Sequence, residues 1–395
     1  MDYKKPNLAL YRIAQAACFA VSRLFFGCRI RRNELRKVKG PCVIICNHEC
    51  ALDFVNIIRL SRSPLSFVIS YTFYNTLPIR PYLKKLAVLP KQQFQSKLSD
   101  LRKMKSVLEA GHRLAIFPAG LMGEDGLSTP IPDATYKFLK WLGSDVYVAR
   151  SYGAYFCMPK WGKGLRRGRT ELDCYKLIGR EELGSLTLEE IRRRTDHALL
   201  YDAYREPRGC CRAHTDIRGL ENVLYLCPAC GGEFTVTADG RDTLRCSACG
   251  FAERSDRSAL LHKIAGPGEE IPYVSDWSRM INDKVRRDFA GGSFRSLESP
   301  VTVSLLDLRK KKFFPAGQGT LSLSESGFVY DGSLNGEAAS FSVPLTHFPT
   351  LPFIPGRYFE IQQNDTVYRI QPDDIRLSIR FVQLVECIFE AQKQS

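Results

Sequence analysis

The 395-residue sequence predicts an α/β domain, a mostly parallel sheet flanked by helices, followed by a small cysteine-clustered module and a β-rich C-terminal region. Three observations carry that expectation. Residues 41–46 (PCVIIC), 114–117 (LAIF) and 145–149 (DVYVA) are apolar nearly throughout, as strands buried on both faces of a parallel sheet are. Helical patterns lie between them, the alternation expected of an α/β domain. The last hundred or so residues instead read as alternating strands joined by turns.

Composition bounds the possibilities further. Hydrophobic residues make up 44% of the chain and charged residues 25%, which is ordinary for a globular protein and excludes wholesale disorder. The 57 Lys and Arg against 42 Asp and Glu leave +15, so an anionic partner is expected: nucleic acid, a phospholipid surface or a phosphorylated substrate. Fourteen cysteines are too sparse for a disulfide scaffold. No stretch reaches the roughly 18 uninterrupted apolar residues of a membrane span.

Residues 1–29 read as an amphipathic membrane-interface helix. The segment NLALYRIAQAACFAVSRLFFG follows a basic start, as a secretion signal would, but Arg12, Gln15 and Arg23 interrupt its apolar core. On a helix Arg12 and Arg23 fall about 20° apart, with Lys5, Gln15 and Ser22 in the same polar arc. Leu10, Ile13, Ala17, Ala20, Leu24 and Phe25 form the opposite face, and Arg29, Arg31, Arg32, Arg36, Lys37 and Lys39 follow. That pattern suits a helix lying in a membrane interface; a helix packed on its own domain core is the alternative.

Residues 30–205 are the expected α/β domain. Leu98, Leu101, Met104 and Leu108 share one helix face, and Gly111 is placed to end that helix. Thr187-Leu188-Glu189-Glu190 is a capping box opening a helix towards Tyr204.

The first apolar strand runs into Asn47-His48-Glu49-Cys50-Ala51-Leu52-Asp53. Two residues five apart on one regular helix diverge by about 140°, so His48 and Asp53 meet only if the first sits in the strand-to-helix turn and the second in the first helical turn. There Asp53 can fix the imidazole tautomer and leave the other ring nitrogen free as a base. A histidine held structurally by a carboxylate is the competing reading. About seventy residues on, another buried strand ends in Phe117-Pro118-Ala119-Gly120.

Together these blocks resemble the glycerolipid (lysophospholipid/1-acylglycerol-3-phosphate) acyltransferase family over about residues 7–205. That family has an Asn-His-x-x-x-x-Asp block, a short apolar block ending in a basic residue, a Phe-Pro-Glu-Gly-Thr-Arg block and a later apolar strand. Ala87-Val88-Leu89-Pro90-Lys91 is similar to the second block, and residues 145–150 to the fourth. The resemblance implies that His48 is the general base for an acceptor hydroxyl and that Asp53 orients it. It also implies that Asn47, Lys91, Arg80, Phe117, Pro118 and Gly120 contact substrate, and that acyl-CoA or an acyl-carrier protein is the donor. Cys50 invites a rival reading as nucleophile, which that mechanism does not need.

Position 119 is Ala where the family has Glu, and Leu121-Met122 replaces Thr-Arg. The family's Arg helps hold an acceptor phosphate, so another cation substitutes or the acceptor differs; Lys91 is the first candidate, then Arg80, Lys84 and Lys85. Lys160, Trp161, Lys163, Arg166, Arg167 and Arg169 form a basic loop read either as solvated surface or as a headgroup contact.

Residues 221–264 contain Cys227-Pro-Ala-Cys230, fifteen residues, then Cys246-Ser-Ala-Cys249. Paired Cys-x-x-Cys turns predict a zinc ribbon holding one structural zinc ion, closed by four thiolates; a pair of disulfides is the alternative. Cys210, Cys211 and His214 are too unevenly spaced for a second site. Residues 300–395 form the β-rich domain, with a hairpin around Asn364-Asp365 and a closing helix over 379–390; its element order is similar to pleckstrin-homology-like modules. Lys310-Lys311-Lys312 before Phe313-Phe314 reads as an exposed basic turn or a lipid contact.

The sequence thus predicts O-acylation of a lysophospholipid-like acceptor in phospholipid biosynthesis or remodelling. The enzyme would be peripheral on the cytoplasmic face of the cytoplasmic membrane, with anionic phospholipid as partner surface. Two alternatives stay open: an N-acyltransferase making an amino-acid or amino-sugar lipid, and a zinc-ribbon adaptor binding nucleic acid or protein. Nucleic acid is disfavoured, because the segment between the cysteine pairs has only Arg241 and Arg245 and no aromatic series on which bases could stack.

Overall fold

A computed structural model of the chain describes residues 3–93, 97–206, 208, 216–346, 348–363 and 366–394. Cys210, Cys211, His214, Asn364 and Asp365 lie outside the described residues. The chain divides into two compact units, one of residues 1–214 with 257–259, the other of 215–256 with 260–395.

In the first unit a seven-stranded sheet has the order β1-β7-β6-β2-β5-β3-β4. Its strands are β1 (Arg29–Asn33), β2 (Cys42–Cys46), β3 (Leu65–Ser70), β4 (Leu89–Lys91), β5 (Arg113–Ile116), β6 (Val146–Tyr152) and β7 (Glu171–Ile178). β6, β2, β5, β3 and β4 are mutually parallel; β7 runs antiparallel to β6 and carries β1 parallel at the edge. The three apolar runs are β2, β5 and β6. β2 is buried at every position because both faces are covered, and the sheet's two sides form separate hydrophobic clusters.

Helices α2 (Asp53–Ile57), α3 (Tyr71–Thr76), α4 (Arg80–Lys85), α5 (Leu98–Glu109), α6 (Asp133–Leu142), α7 (Ala154–Cys157), α8 (Arg180–Ser185) and α9 (Leu188–Leu199) fill the connections. Thr187 caps α9 by accepting from Glu190 N at 3.2 Å, but the helix stops at Leu199, short of Tyr204.

The N-terminal helix α1 (Leu8–Val21) continues through a π-turn, Ser22–Phe26, to Gly27. Gly27 has φ +47, and a Cβ there would lie 2.9 Å from Gly168 O, so only glycine fits. The polar arc read from sequence divides. Gln15 donates to Ile58 O and Ser61 O, and Ser22 to Asn56, so these two face the domain rather than solvent. Arg12 and Arg23 stay exposed, as do Ile13 (67%) and Leu24 (60%), leaving an apolar stripe facing outward. Among the described residues, Leu8–Phe26 is the one helix long and apolar enough, by length and composition, to cross a membrane.

The second unit joins what the sequence presents as two modules. The ribbon sheet has the order β11-β10-β9-β8, from β8 (Val236–Asp239), β9 (Thr243–Cys246), β10 (Ala252–Ser255) and β11 (Leu261–Ala265), all antiparallel. Helix α10 (Val274–Ala290) buries Trp277, whose indole donates to Leu226 O at 2.8 Å. Seven antiparallel strands follow: β12 (Leu297–Asp307), β13 (Lys312–Ser324), β14 (Gly327–Leu334), β15 (Glu337–Val343), β16 (Phe353–Ile354), β17 (Tyr358–Gln363) and β18 (Thr366–Pro372). Their order is β15-β14-β13-β12-β18-β17-β16, and α11 (Leu377–Gln394) closes the chain, packing Phe381 against Phe328 and Phe359. The ribbon is tied to α11 by Tyr225, which donates to Gln383, and to the turn just before that helix by Arg376, which donates to Phe234 O.

Glu253 on β10 is fully buried; its Oε1 accepts from Ile271 N, and its Oε2 has no hydrogen-bond partner. Burial and the nearby Glu270 push its pKa up to about 7 from 4.5, against the Ile271 N–H. A raised folded-state pKa means that ionisation favours the unfolded chain, so stability falls as pH rises from about 4.5 to 7 and stays low above that. Glu253→Gln is therefore expected to stabilise the protein by about 1–3 kcal/mol at pH 8 and hardly at all near pH 4.5. Paired urea titrations of variant and wild type at the two pH values measure this; an equal difference at both would refute the assignment.

Candidate active site

The site lies at the carboxyl ends of the parallel strands, where open α/β sheets bind ligands. β2 delivers Asn47 and His48, β5 delivers Phe117, and β4 ends at Lys91. Asp53 is the first residue of α2, so His48 in the turn and Asp53 in the first helical turn meet as their spacing requires. Asp53 Oδ2 accepts from His48 Nδ1 at 2.9 Å, from Glu49 N at 2.7 Å and from Cys50 N at 3.0 Å. Three N–H groups converge on one carboxylate oxygen, which places the ring proton on Nδ1 and leaves Nε2 as the acceptor. Asp53 is fully buried, whereas the His48 side chain keeps 19% of its exposure. The imidazole stacks on the Phe117 ring, centroids 4.3 Å apart at 28°. Phe117 is thus a wall holding the ring in orientation, a more specific role than the substrate contact read from sequence.

Asn47, expected to touch substrate, does something else. It is buried, its Oδ1 accepts from Ser151 N at 2.7 Å, and its Nδ2 donates to Ser151 O at 2.8 Å and to Glu49 Oε1 at 2.9 Å. With both amide protons spent, it clamps the end of β2 to β6 and positions His48 from behind.

Glu49 carried no sequence signal, since its partner lies about a hundred residues away. It is buried and accepts from Tyr155 N at 2.9 Å through its second oxygen. Burial, reinforced by the charge of Asp53 and opposed by the N–H donors, pushes its pKa up to about 8. Cys50 is fully buried; burial and the Asp53 charge hold its thiol well above the ordinary range, so it is not an activated nucleophile.

The Phe117-Pro118-Ala119-Gly120 block is a tight turn closed by Gly120 N on Phe117 O at 3.0 Å, with Gly120 at φ +76. Pro118 O accepts from Thr135, and Gly120 O accepts from Gln93 Nε2 at 2.7 Å. Both residues therefore act through their backbone carbonyls, which tie the turn to Thr135 and Gln93. Lys91 is half-buried and donates to Gln92 O at 3.2 Å; burial lowers its pKa, while Asp100 opposes that. Arg80 opens α4 with its guanidinium 6.0 Å from the Tyr74 ring. Lys84 and Lys85 are exposed.

Much of the basic loop is structural. Trp161 is buried and donates to Tyr155 Oη at 2.9 Å, Lys160 pairs with Glu124, and Arg166 lies over the Trp161 ring. Lys163, Arg167 and Arg169 remain exposed.

Cys227, Cys230, Cys246 and Cys249 place all four sulfurs within 4.8 Å of one another, with Cys227–Cys249 at 3.7 Å and Cys230–Cys246 at 3.8 Å. These separations exclude disulfides. A tetrahedral metal with sulfur ligands at about 2.3 Å sets an edge of about 3.8 Å, so the donor set fits such an ion without rearrangement. Gly231 and Gly250, at φ +72 and +77, turn the chain after each pair, and Gly231 N and Gly250 N bond back to Cys227 O and Cys246 O. Although burial opposes it, the Thr235 hydroxyl and the N–H groups of Cys249 and Ala248 favour the Cys246 thiolate. The cluster can hold a metal ion, and four thiolates leave no position for a substrate.

A model of the acyltransferase family matches residues 28–157, the segment holding His48, Asp53, Lys91 and the Phe117–Gly120 turn. Among solved structures, the chain is similar to the crystal structure of the 1-acyl-sn-glycerophosphate (LPA) acyltransferase PlsC from Thermotoga maritima. The identity is 16%, over 47% of this chain and 80% of that one, with a TM-score of 0.39. No curated protein matches the chain. Over residues 28–157 the chain is thus similar to the acyltransferase family.

Proposed function

We propose that the protein moves a fatty acyl group from an acyl thioester, acyl-CoA or acyl-carrier protein, to the hydroxyl of a lysophospholipid-like acceptor. The observation that carries this reading is the His48–Asp53 pair, with Nδ1 committed to a carboxylate pinned by two backbone N–H groups and with the ring edge exposed. His48 Nε2 takes the acceptor's hydroxyl proton as its oxygen attacks the thioester carbonyl carbon. The tetrahedral adduct collapses with cleavage of the C–S bond, and the thiolate leaves and recovers the proton from the imidazolium. An ester and a free thiol result, with no enzyme-bound intermediate.

Lys91 stands in for the family's missing Arg as the acceptor-phosphate contact. Its desolvated ammonium would gain a charge-assisted bond when the anion binds. Lys91→Ala is expected to raise the acceptor KM by about tenfold or more and to leave the donor KM nearly unchanged. Initial rates over a panel of lysolipids, varying each substrate in turn, test the role; an unchanged acceptor KM would remove it.

Leu121 is buried and Met122 is uncharged where the family has Thr-Arg, and this favours amine acceptors as a second reading, giving an amide of an amino-acid or amino-sugar lipid. The same panel, extended to such amines, separates the two. The outward apolar stripe of α1, flanked by Arg12 and Arg23, supports attachment to a membrane interface, which this reading puts at the cytoplasmic face. The four thiolates support one structural zinc ion, and the seven antiparallel strands closed by α11 support a pleckstrin-homology-like reading of residues 300–395.

A further inference from the structure

Glu49 is a buried carboxylate in the catalytic turn that the proposed chemistry leaves unused. It is 6% exposed. Its Oε1 accepts from Asn47 Nδ2 at 2.9 Å, and its Oε2 accepts from Tyr155 N at 2.9 Å. Its own backbone N–H donates to Asp53 Oδ2, the oxygen that also receives His48 Nδ1. Glu49 therefore joins α7 to the carboxylate on which the imidazole is held.

The surroundings call for a charged acceptor. Ser151 engages Asn47 through both its N–H and its carbonyl, so the amide is fixed and its second proton points at Glu49. Tyr155 N points at the other oxygen. A glutamine amide or a protonated carboxyl would bring donors of its own to a place lined by N–H groups, whereas a carboxylate accepts at both oxygens.

No cation pairs with Glu49 among the described residues. The titratable groups packed around it are His48 and Cys50 on its own turn, Asp53 at the start of α2, and Tyr155 and Cys157 on α7. Tyr155 turns its hydroxyl away, to Glu124 O and the Trp161 indole, and the Cys157 thiol donates to Gly153 O. The charge that acts on Glu49 is that of Asp53, and it repels a second anion. A buried carboxylate beside another, with no cation, is costly as a mere fastening. The repulsion is offset once a cation forms beside the two, and acyl transfer forms one, the His48 imidazolium.

We infer that Glu49 is an electrostatic positioning residue: its carboxylate, acting on the His48–Asp53 pair, favours the imidazolium that forms as the acceptor hydroxyl loses its proton, so turnover is fastest where both carboxylates are ionised. The inference rests on the assignment of His48 as the base. Glu49 itself moves no proton during the transfer. Burial and the Asp53 charge push its pKa up to about 8, so the second negative charge appears within the range in which turnover can be assayed.

The test follows acceptor-dependent thiol release by the full chain from about pH 6 to about pH 9.5, in wild type and Glu49→Gln. Alongside it, the imidazole nitrogen shifts of His48 are recorded over the same range, assigned by their loss in His48→Ala. A misplaced amide would lower turnover by one factor at every pH, whereas a missing charge makes the deficit grow as pH rises. The ratio of wild-type to variant kcat is expected to climb about three- to tenfold through about pH 8, with the ratio of KM values level. The His48 shifts of wild type should carry an inflection near pH 8 that Glu49→Gln lacks. A flat kcat ratio, or an inflection that survives in the variant, would overturn the inference. Absence of the inflection from wild type would do so even if Glu49→Gln failed to fold. Absence of thioester turnover would sink the functional reading instead, and the nitrogen shifts would still decide whether Glu49 and His48 are coupled.

Discussion

Replacing His48 with alanine is expected to lower acceptor-dependent thioester turnover by about 10²–10⁴-fold, the usual worth of a positioned general base. The fold should survive, because the imidazole is partly exposed and its neighbours are the Phe117 face and the Asp53 oxygen. Asp53→Asn is expected to be milder and different in kind. An amide oxygen can still receive the three N–H groups that meet at Oδ2, but it lacks the charge that stabilises the imidazolium formed during transfer. The loss should therefore fall on kcat far more than on either KM. Asp53→Ala should also cost stability, since it leaves Glu49 N and Cys50 N buried without a partner at about 1–3 kcal/mol each. Steady-state kinetics beside thermal melts distinguish the three variants. A His48→Ala protein with wild-type turnover would refute the assignment of the base.

The second large effect concerns the cysteine cluster. Cys246→Ser, or exhaustive chelation of wild type, is expected to remove one equivalent of zinc and to unfold the β8–β11 ribbon. Structural zinc sites of this kind supply about 10–16 kcal/mol of apparent binding free energy at neutral pH, which outweighs what a sheet of four- to five-residue strands and a few side-chain ties to α10 and α11 can supply. Metal analysis of the purified protein together with thermal scans before and after chelation measures this. A metal-free protein with an unchanged melting profile would show that the cluster is a set of reduced thiols without a structural ion. A closed set of four sulfurs also predicts that cobalt substitution keeps whatever turnover zinc supports, because the ion has no position for a substrate.

What could be read from the sequence follows from how local each signal is. β2, β5 and β6 are buried on both faces, so they read as unbroken apolar runs. β7, ELDCYKLI, alternates over its first half, with Glu171 and Asp173 partly exposed beside buried Leu172 and Cys174, and β1, RIRRN, reads only as a basic segment. β4 is three residues long with a proline in the middle, too short to show any period. Helix α10 buries Val274, Trp277, Ile281 and Val285 at helical spacing, a pattern present in the sequence that the Gly/Pro stretch before it obscured.

The site divides in the same way. His48 and Asp53 are five residues apart, and the four cysteines form two close pairs, so both constellations are legible from spacing. The Asn47–Glu49 clamp depends on Ser151 and Tyr155, which only the parallel pairing of β2 with β6 brings within reach. For the same reason Asn47, Phe117 and Trp161 have structural or positioning roles that residue type alone did not disclose.

The central claim is that His48 activates an acceptor hydroxyl towards a thioester. It is tested most directly by incubating the purified full chain with an acyl thioester and a lysophospholipid, following free thiol while identifying the lipid product by mass spectrometry. The account predicts acceptor-dependent thiol release, one acyl ester formed per thiol, and loss of both in His48→Ala. Thiol release that ignores the acceptor, or turnover that persists without His48, would contradict it.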